Sequence, residues 1–293
     1  TNPPPDANED SRLVDVLWPA PTVTSIAASS NVAGATNVSL TILGSGSSGG
    51  VPRVGNHWGA CDPSNPKNRR RRCCAMVERI NGRGRTVALI DTPPDLRTQL
   101  LDTDIETVDG VLYTHDHADH THGIDDLRML AFNMKRRVDV HMDAATSASL
   151  QHRFAYCFKA PPGSSYPPIL NAWPIEPPKP ITINGAGGPI SAIPIAQEHG
   201  DAASLGFRIG NVAYSPDISN LPDSSIDLLR GLDVWIVDAL RYLHHPSHFS
   251  VSDALEWIDR LKPKRAILTH LHIDLDYGAL KRELPPHVVP AFD

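Results

Sequence analysis

In Leu112-Tyr113-Thr114-His115-Asp116-His117-Ala118-Asp119-His120 an apolar strand runs directly into three imidazoles and two carboxylates held within six residues. Few folds accept such a sequence. The strand must deliver its end to a tight polar loop, and neutral imidazole with carboxylate is a donor set for Zn²⁺, Mn²⁺ or Fe²⁺. Ligands two apart on an extended loop, His115 and His117, can converge on one ion, while Asp119 and His120 turn toward a second. A solvated polar loop is the plain alternative, and short motifs do misfire. The density of ligand-type side chains favours the metal reading.

Other histidines repeat the pattern. Nine of the fourteen fall in 115–122, 244–248 and 270–272, a clustering that suits metal or acid–base chemistry better than solvated surface. One loop cannot complete two metal sites. Further ligands are expected at the ends of other strands, where His199, Asp217 and His270 each follow an apolar, strand-like run.

The remaining organisation supports a layered α/β chain. Strands are expected at Val38 to Leu43, Ala75 to Ile80, Thr86 to Asp91, Gly110 to Thr114, Val138 to Met142, Ile190 to Ile195, Leu205 to Ile209, Val212 to Ser215, Val234 to Asp238 and Ala266 to Thr269. Helices are expected at 95–102, 124–136 and 251–261, the last with Ser250 or Ser252 as N-cap. Residues 160–180 are rich in proline and read as a long ordered loop that could cover the site. Residues 1–36, rich in Pro, Ala, Ser, Thr and Asn, read as an N-terminal extension to a domain spanning 37–293.

A formal charge of −6 argues against broad nucleic-acid binding, which would want a basic domain, and leaves a local basic patch open. Four cysteines without a regular framework point to a reducing compartment. No membrane-length apolar run or signal segment is visible, so the expectation is a cytoplasmic protein with no membrane partner.

The order HxHxDH, a later His, a strand-terminal Asp and a Thr-His near the C-terminus resembles the metallo-β-lactamase superfamily over about 37–292. The resemblance implies a four-layer αββα sandwich with the site at one edge of the two sheets. It implies that His115, His117 and His199 hold one metal, that Asp119, His120 and His270 hold another, and that Asp217 bridges them. It narrows further. The loop Gly44-Ser45-Gly46-Ser47-Ser48-Gly49-Gly50-Val51-Pro52, Asn68-Arg69-Arg70, Glu198-His199-Gly200, Ser204-Leu205-Gly206-Phe207, His245-Pro246-Ser247-His248-Phe249-Ser250 and the closing Val289-Pro290-Ala291-Phe292-Asp293 are similar to the PhnP-type cyclic phosphodiesterases, relatives of tRNase Z. That family's cysteine-rich structural zinc site is not matched. A third zinc on Cys61, Cys73 and His57 is conceivable, but buried structural thiols fit better.

The implied reaction is phosphodiester hydrolysis of a small cyclic phosphate or nucleotide-like ester, with two divalent ions (Zn or Mn) as cofactors. Asp119 would serve catalysis as well as ligation. His248 is the candidate acid for the departing alkoxide by its match to the family, with His245 next and His244 after it. Arg70 and Arg71, in a run of four arginines, could clamp a terminal phosphate, although such runs are usually solvated. Ser48 in the Gly/Ser loop and Arg241 past a strand end could also face substrate. Asp91 ends an apolar strand and could support a ligating histidine; His122 and His272 suit supporting or surface roles. Competing readings are tRNA 3′ processing, thioester or lactam hydrolysis on the same site, and a non-catalytic binding protein of cofactor biosynthesis. The expected partner is a small phosphate ester rather than an extended nucleic acid, and a homodimer stays open.

Overall fold

Alternating burial along the strands builds two sheets with three separate apolar layers. The computed structural model describes residues 38–103 and 105–293; the N-terminal extension lies outside the described residues. Six strands, β1 (Val38–Gly44), β2 (Cys74–Asn81), β3 (Gly84–Ile90), β4 (Gly110–Leu112), β5 (Val138–Met142) and β6 (Leu170–Pro174), pair in sequence order in the first sheet. The second holds β7 (Ile181–Ile183), β8 (Ile190–His199), β9 (Ala202–Ile209), β10 (Val212–Ser215), β11 (Val234–Asp238), β12 (Arg265–Thr269) and β13 (Val288–Pro290), again in sequence order.

Successive strand side chains point to opposite faces. In β3, Ala88 and Ile90 enter the layer between the sheets, while Val87 and Leu89 face outward. In β11, Val234 and Ile236 face inward, while Trp235 and Val237 face outward. Because both faces are covered, these strands read as near-continuous apolar runs.

Helices cover the outer faces. The first sheet carries α1 (Leu96–Leu101), α2 (Ala118–Thr121), α3 (Leu127–Met134), α4 (Ala144–Arg153) and α5 (Ala155–Phe158), with Leu96, Leu127, Leu130, Leu150 and Cys157 in its outer core. The second carries α6 (Asp223–Ile226), α7 (Val251–Leu261) and α8 (Tyr277–Glu283), which add Ile226, Ala254, Ile258 and Leu280. The result is the αββα sandwich. The N-terminus of α7 is fixed by a reciprocal box, in which Ser250 accepts from Asp253 N and the Asp253 carboxylate accepts from Ser250 N.

The stretch 160–180 departs from expectation. It contains β6, with the proline at its end, and β6 is an edge strand, where a missing N–H is tolerated. The loop before β6 makes local hydrogen bonds, Ser164 N to Pro161 O and Tyr166 N to Ser164 Oγ. Pro194 lies within β8, but β7 pairs only with Ile190 to Ala192, so the proline falls on an unpaired side. Among the described residues no helix is long and apolar enough to cross a membrane.

The outer core of the first sheet gives a stability test. Leu89 is fully buried and Leu101 is 68% exposed. Leu89→Ala should lower unfolding free energy by about 2–5 kcal/mol, and Leu101→Ala by less than about 0.5. Denaturant titration of the two variants checks this, and similar losses would contradict the layer assignment.

Candidate metal centre

Six strands end at one point. Asp91 follows β3, His115 lies three residues past β4, His199 closes β8, Asp217 lies two past β10, Asp238 closes β11 and His270 follows β12. Each follows or closes a strand paired to at least one neighbour, so backbone pairing fixes the Cα position and the polar side chain emerges at the rim. Asp91 and His270 adopt left-handed backbone conformations, with φ of 67° and 59°. These are strained positions for non-glycine residues, of the kind that gather at functional sites. Gly200, directly after His199, has φ of 65°, and a Cβ there would lie 2.8 Å from Ser247 Cβ. Glycine is needed for this turn to pass beneath the 244–248 loop.

Two groups of donor atoms hold the expected ligands, and a third, Asp217, His248 and His270, overlaps them. His115, His117, His199 and Asp217 form one, and Asp119, His120 and His270 the other, with ligand-type atoms within 4.8 Å of one another in each. Asp217 lies between them: Oδ1 is 2.9 Å from His120 Nε2, and Oδ2 is 3.5 Å from His270 Nε2, 3.7 Å from His199 Nε2 and 3.9 Å from His115 Nε2. Asp119 Oδ2 is 3.6 Å from both His120 Nε2 and His270 Nε2.

The protein fixes which nitrogen faces inward. Asp91 Oδ1 accepts from Thr114 N at 2.8 Å; its Oδ2 accepts from Thr114 Oγ1 at 2.8 Å and His120 Nδ1 at 2.7 Å. With its proton so used, Thr114 Oγ1 accepts from His115 Nδ1 at 2.9 Å. His199 Nδ1 donates to Ser247 O at 2.5 Å. These bonds leave the Nε2 atoms of His115, His120 and His199 as lone-pair donors to the centre. His115 Nε2, His120 Nε2, His270 Nε2 and Asp217 Oδ1 are all buried without a hydrogen-bond partner, despite the 2.9 Å approach of two of them. His117 Nδ1 and His199 Nε2 lie only 3.3 Å apart. Such a set is unfavourable unless a cation fills it, and imidazole with carboxylate suits a divalent ion.

Among the side chains themselves the electrostatics are strongly biased. Burial holds His115 well below the usual histidine range, aided by the neighbouring His120. Burial takes His199 down to about 4. For Asp217, burial would raise the pKa, but His120 and His270 outweigh it and hold the carboxyl well below its usual range. Burial also opposes ionisation of Asp119, and His120 again overcomes it. His115 and His199 are thus biased toward free lone pairs and both carboxylates toward charge, while burial would lower the His120 pKa but Asp217, Asp91 and Asp119 hold it well above the usual histidine range.

His248 borders this centre. Burial would lower its pKa, but the Asp238 carboxylate, 2.7 Å from Nδ1, pushes it up to about 9. Its ring stacks on His270 with centroids 4.6 Å apart, and Nδ1 lies 3.9 Å from Asp217. His245 is half-buried beside it, with ring centroids 5.2 Å apart, and its pKa is lowered by burial. Arg241 donates from Nε to Leu243 O and from Nη2 to His244 O, which ties down the loop bearing both histidines.

The arginine clamp is corrected. Arg70 is 1% exposed, with Nη2 donating to Leu275 O at 2.9 Å and Nη1 to His272 O at 3.4 Å. Arg71 pairs with Asp102 at 2.7 Å and with Asp293 at 3.3 Å. Both guanidiniums are committed to the fold, because a strand-flanking segment threaded beneath the C-terminus must satisfy its charges internally. Ser48 is exposed and makes no side-chain hydrogen bond among the described residues, while the amides of Gly46 and Ser47 donate to Arg71 O and Leu271 O. Cys61 Sγ contacts Ile273 O and Leu275 O, whereas Cys73 Sγ contacts Gly46 O and Thr269, so the two thiols share no site. His122 packs on Phe154, and His272 pairs with Asp274.

One supporting residue escaped the sequence reading. Asp238 is fully buried, accepts from His248 Nδ1 and from Ile218 N, and its Oδ1 lies 3.8 Å from His270 Nδ1. The signal was present: like Asp91, it is a carboxylate closing a run of apolar strand residues.

Comparison with known proteins agrees with this geometry. A β-lactamase superfamily domain matches residues 86–271. The crystal structure of a new diphosphatase from the PhnP family aligns with a TM-score of 0.78 at 36% identity, covering 87% of this chain and 94% of that one. Octanoyltransferase of Porphyromonas gingivalis is 32% identical over 257 residues, 86% of this chain and 50% of that protein, so the chain spans about half the length of this curated relative. The metallo-β-lactamase fold protein YhfI of Bacillus subtilis, at 18% identity and a TM-score of 0.62 over 87% of this chain and 96% of that one, shares the fold. With its superfamily domain, its sandwich and its identity across nearly the whole of a PhnP-family structure, the chain belongs to the metallo-β-lactamase superfamily and to its PhnP family.

Proposed function

We propose that the protein is a metal-dependent phosphodiesterase acting on a small phosphodiester. In this reading His115, His117 and His199 hold one divalent ion, Asp119, His120 and His270 hold a second, and Asp217 lies between them. The observation that carries it is the set of buried, partnerless nitrogens and carboxylate oxygen around one point. Bound divalent ions supply a water of lowered pKa and neutralise phosphate oxygens. The chain's own residues do the rest. Asp91 holds His120 directly and His115 through Thr114, which keeps both rings in the required tautomer. Asp238 holds His248 Nδ1, so the proton passed to the departing oxygen is the one on Nε2. His245 is the poorer acid, because its Nδ1 accepts from Ser247 N and its pKa is lowered.

The octanoyltransferase relative raises acyl transfer as a second reading. A thiol-based acyl route would need an accessible thiolate. Cys61, Cys73, Cys74 and Cys157 are all buried, and burial pushes each thiol up. We therefore assign this chain hydrolysis rather than thiol-dependent transfer.

The test is hydrolysis of bis(p-nitrophenyl) phosphate beside a thioester and a β-lactam, on protein whose metals have been counted. Phosphodiester turnover, lost on chelation and restored by Zn²⁺ or Mn²⁺, is expected; metal-loaded protein that cleaves only the thioester would overturn the reading. Asp217→Ala should reduce the metal content measured by elemental analysis, and a variant with full metal and full rate would remove Asp217 from between the ions. His248→Ala should slow esters with alkoxide leaving groups by about 10²–10⁴-fold and aryl esters far less. The Asp238 charge raises the His248 pKa, so its loss lowers that pKa. Asp238→Asn should therefore move the basic limb of the kcat profile to lower pH, and an unmoved limb would separate His248 from the proton transfer.

A further inference from the structure

The imidazoles of the metal centre are not all held in the same way. His120 Nδ1 donates to Asp91, His115 Nδ1 to Thr114 and His199 Nδ1 to Ser247 O. His270 is buried and stacks on His248. His117 is exposed, and it turns Nδ1 rather than Nε2 toward His199. Its outer nitrogen, Nε2, has no hydrogen-bond partner among the described residues. An imidazole without an outer partner is not fixed through its ring, so its place beside the other donors has to come from its backbone.

That backbone is gripped on both sides. Downstream, His117 O accepts from Thr121 Oγ1 at 2.8 Å and from His120 N at 3.1 Å, within the first turn of α2. Upstream, the carbonyl of Asp116 accepts from Arg153 Nη2. That carbonyl and the His117 N–H share one planar peptide, so a bond to the oxygen fixes the plane from which His117 starts. The Asp116 side chain is taken by the same helix: its Oδ2 accepts from Ser149 Oγ at 2.5 Å and from Arg153 Nη2 at 3.1 Å.

Ser149 and Arg153 stand one turn apart on α4 and so share a face. The helix is anchored by Leu150, fully buried in the outer core, and by Asp143, which accepts from Thr146 N at 2.7 Å. Phe154, directly after Arg153, packs on the same core and meets the His122 ring edge-on at 5.5 Å. The end of α4 therefore holds α2 at Asp116 on one side and at His122 on the other. The side chains of Asp116 and Arg153 are 43% and 32% exposed, so their pairing adds little to the stability of the whole fold. What it supplies is direction.

We propose that Arg153, assisted by Ser149, is a positioning residue for His117, and that α4 thereby sets the affinity of the ion held by His115, His117 and His199. The inference rests on the two-ion reading above and concerns residues that touch neither ion.

The experiment is competition for Zn²⁺ between the full chain and a chromophoric chelator, with the wild type beside Arg153→Ala, Arg153→Lys and Asp116→Asn. The wild type should bind two ions. Arg153→Ala should weaken one of the two binding steps by about 10–100-fold and leave the other unchanged. Arg153→Lys keeps a donor for the carbonyl and should restore part of the loss. Asp116→Asn keeps the carbonyl and a side-chain acceptor, and should weaken binding less than Arg153→Ala. The thermal midpoint of metal-free Arg153→Ala should match the wild type, because a partly exposed pair carries little global stability. Two ions held equally by wild type and Arg153→Ala, or both steps weakened together, overturns the positioning role and leaves the metal reading standing. A metal-free midpoint that falls in Arg153→Ala, with no rescue of affinity by Arg153→Lys, makes Arg153 a structural residue and overturns the role as well. A wild type that binds no Zn²⁺ overturns both readings. Arg153-dependent loss of one ion, in a protein without phosphodiester turnover, supports the positioning role and overturns only the phosphodiesterase reading.

Discussion

Asp91 joins the end of β3 to the loop that follows β4. Its carboxylate is fully buried, and it takes three donors at once: the amide and hydroxyl of Thr114 and Nδ1 of His120. Burial pushes this carboxyl up, and the His120 and Thr114 donors work against that rise without cancelling it. Without this carboxylate, the histidine loop would lose both its path and its tautomers. His115 depends on the same carboxylate through Thr114 Oγ1. The left-handed backbone at Asp91 is held by packing on either side, with Ile90 and Leu112 both in the layer between the sheets.

The second sheet repeats the device. Asp238 closes β11 as Asp91 follows β3, and it fixes His248 and the amide of Ile218. The two carboxylates are the inner supports of a centre whose rim is otherwise lone pairs. A folded chain that buries so many acceptors carries a standing penalty, which a cation relieves. Metal binding and folding of this rim are therefore thermodynamically linked.

The loop 244–248 extends that scaffold toward solvent. Arg241 secures the carbonyls of Leu243 and His244 at its start, Ser247 O receives His199 Nδ1, and Gly200 allows the close passage beneath it. The capping box at Ser250 then starts α7 two residues after His248, so the helix cap anchors the loop that borders the metal centre. In this way a local helix cap becomes part of the geometry of a site several side chains away.

The chain order alone disclosed the strands that reach the centre and most of the donor atoms there. The reason is local: a short, mostly apolar run that ends in His or Asp states both the strand and the polar tip it carries, as at Leu112 to His115 and at Ala266 to His270. The helix at 251–261 was equally legible from a serine N-cap, Ser250 or Ser252, and the structure places the cap at Ser250 with Asp253 completing the box. Long-range partners were not. Whether Arg70 faced a ligand or the chain's own carbonyls depended on where residues 272–275 lie, some 200 positions away. Asp238 showed its role only when β11 lay beside β12 and the 248 loop folded over it. The β6 strand was hidden by prolines that an edge position tolerates. Sequence by itself determined which side chains could bind a metal, since donor chemistry and strand periodicity are local. Tertiary structure decided which of the remaining charges are free, since that depends on partners brought together by sheet pairing.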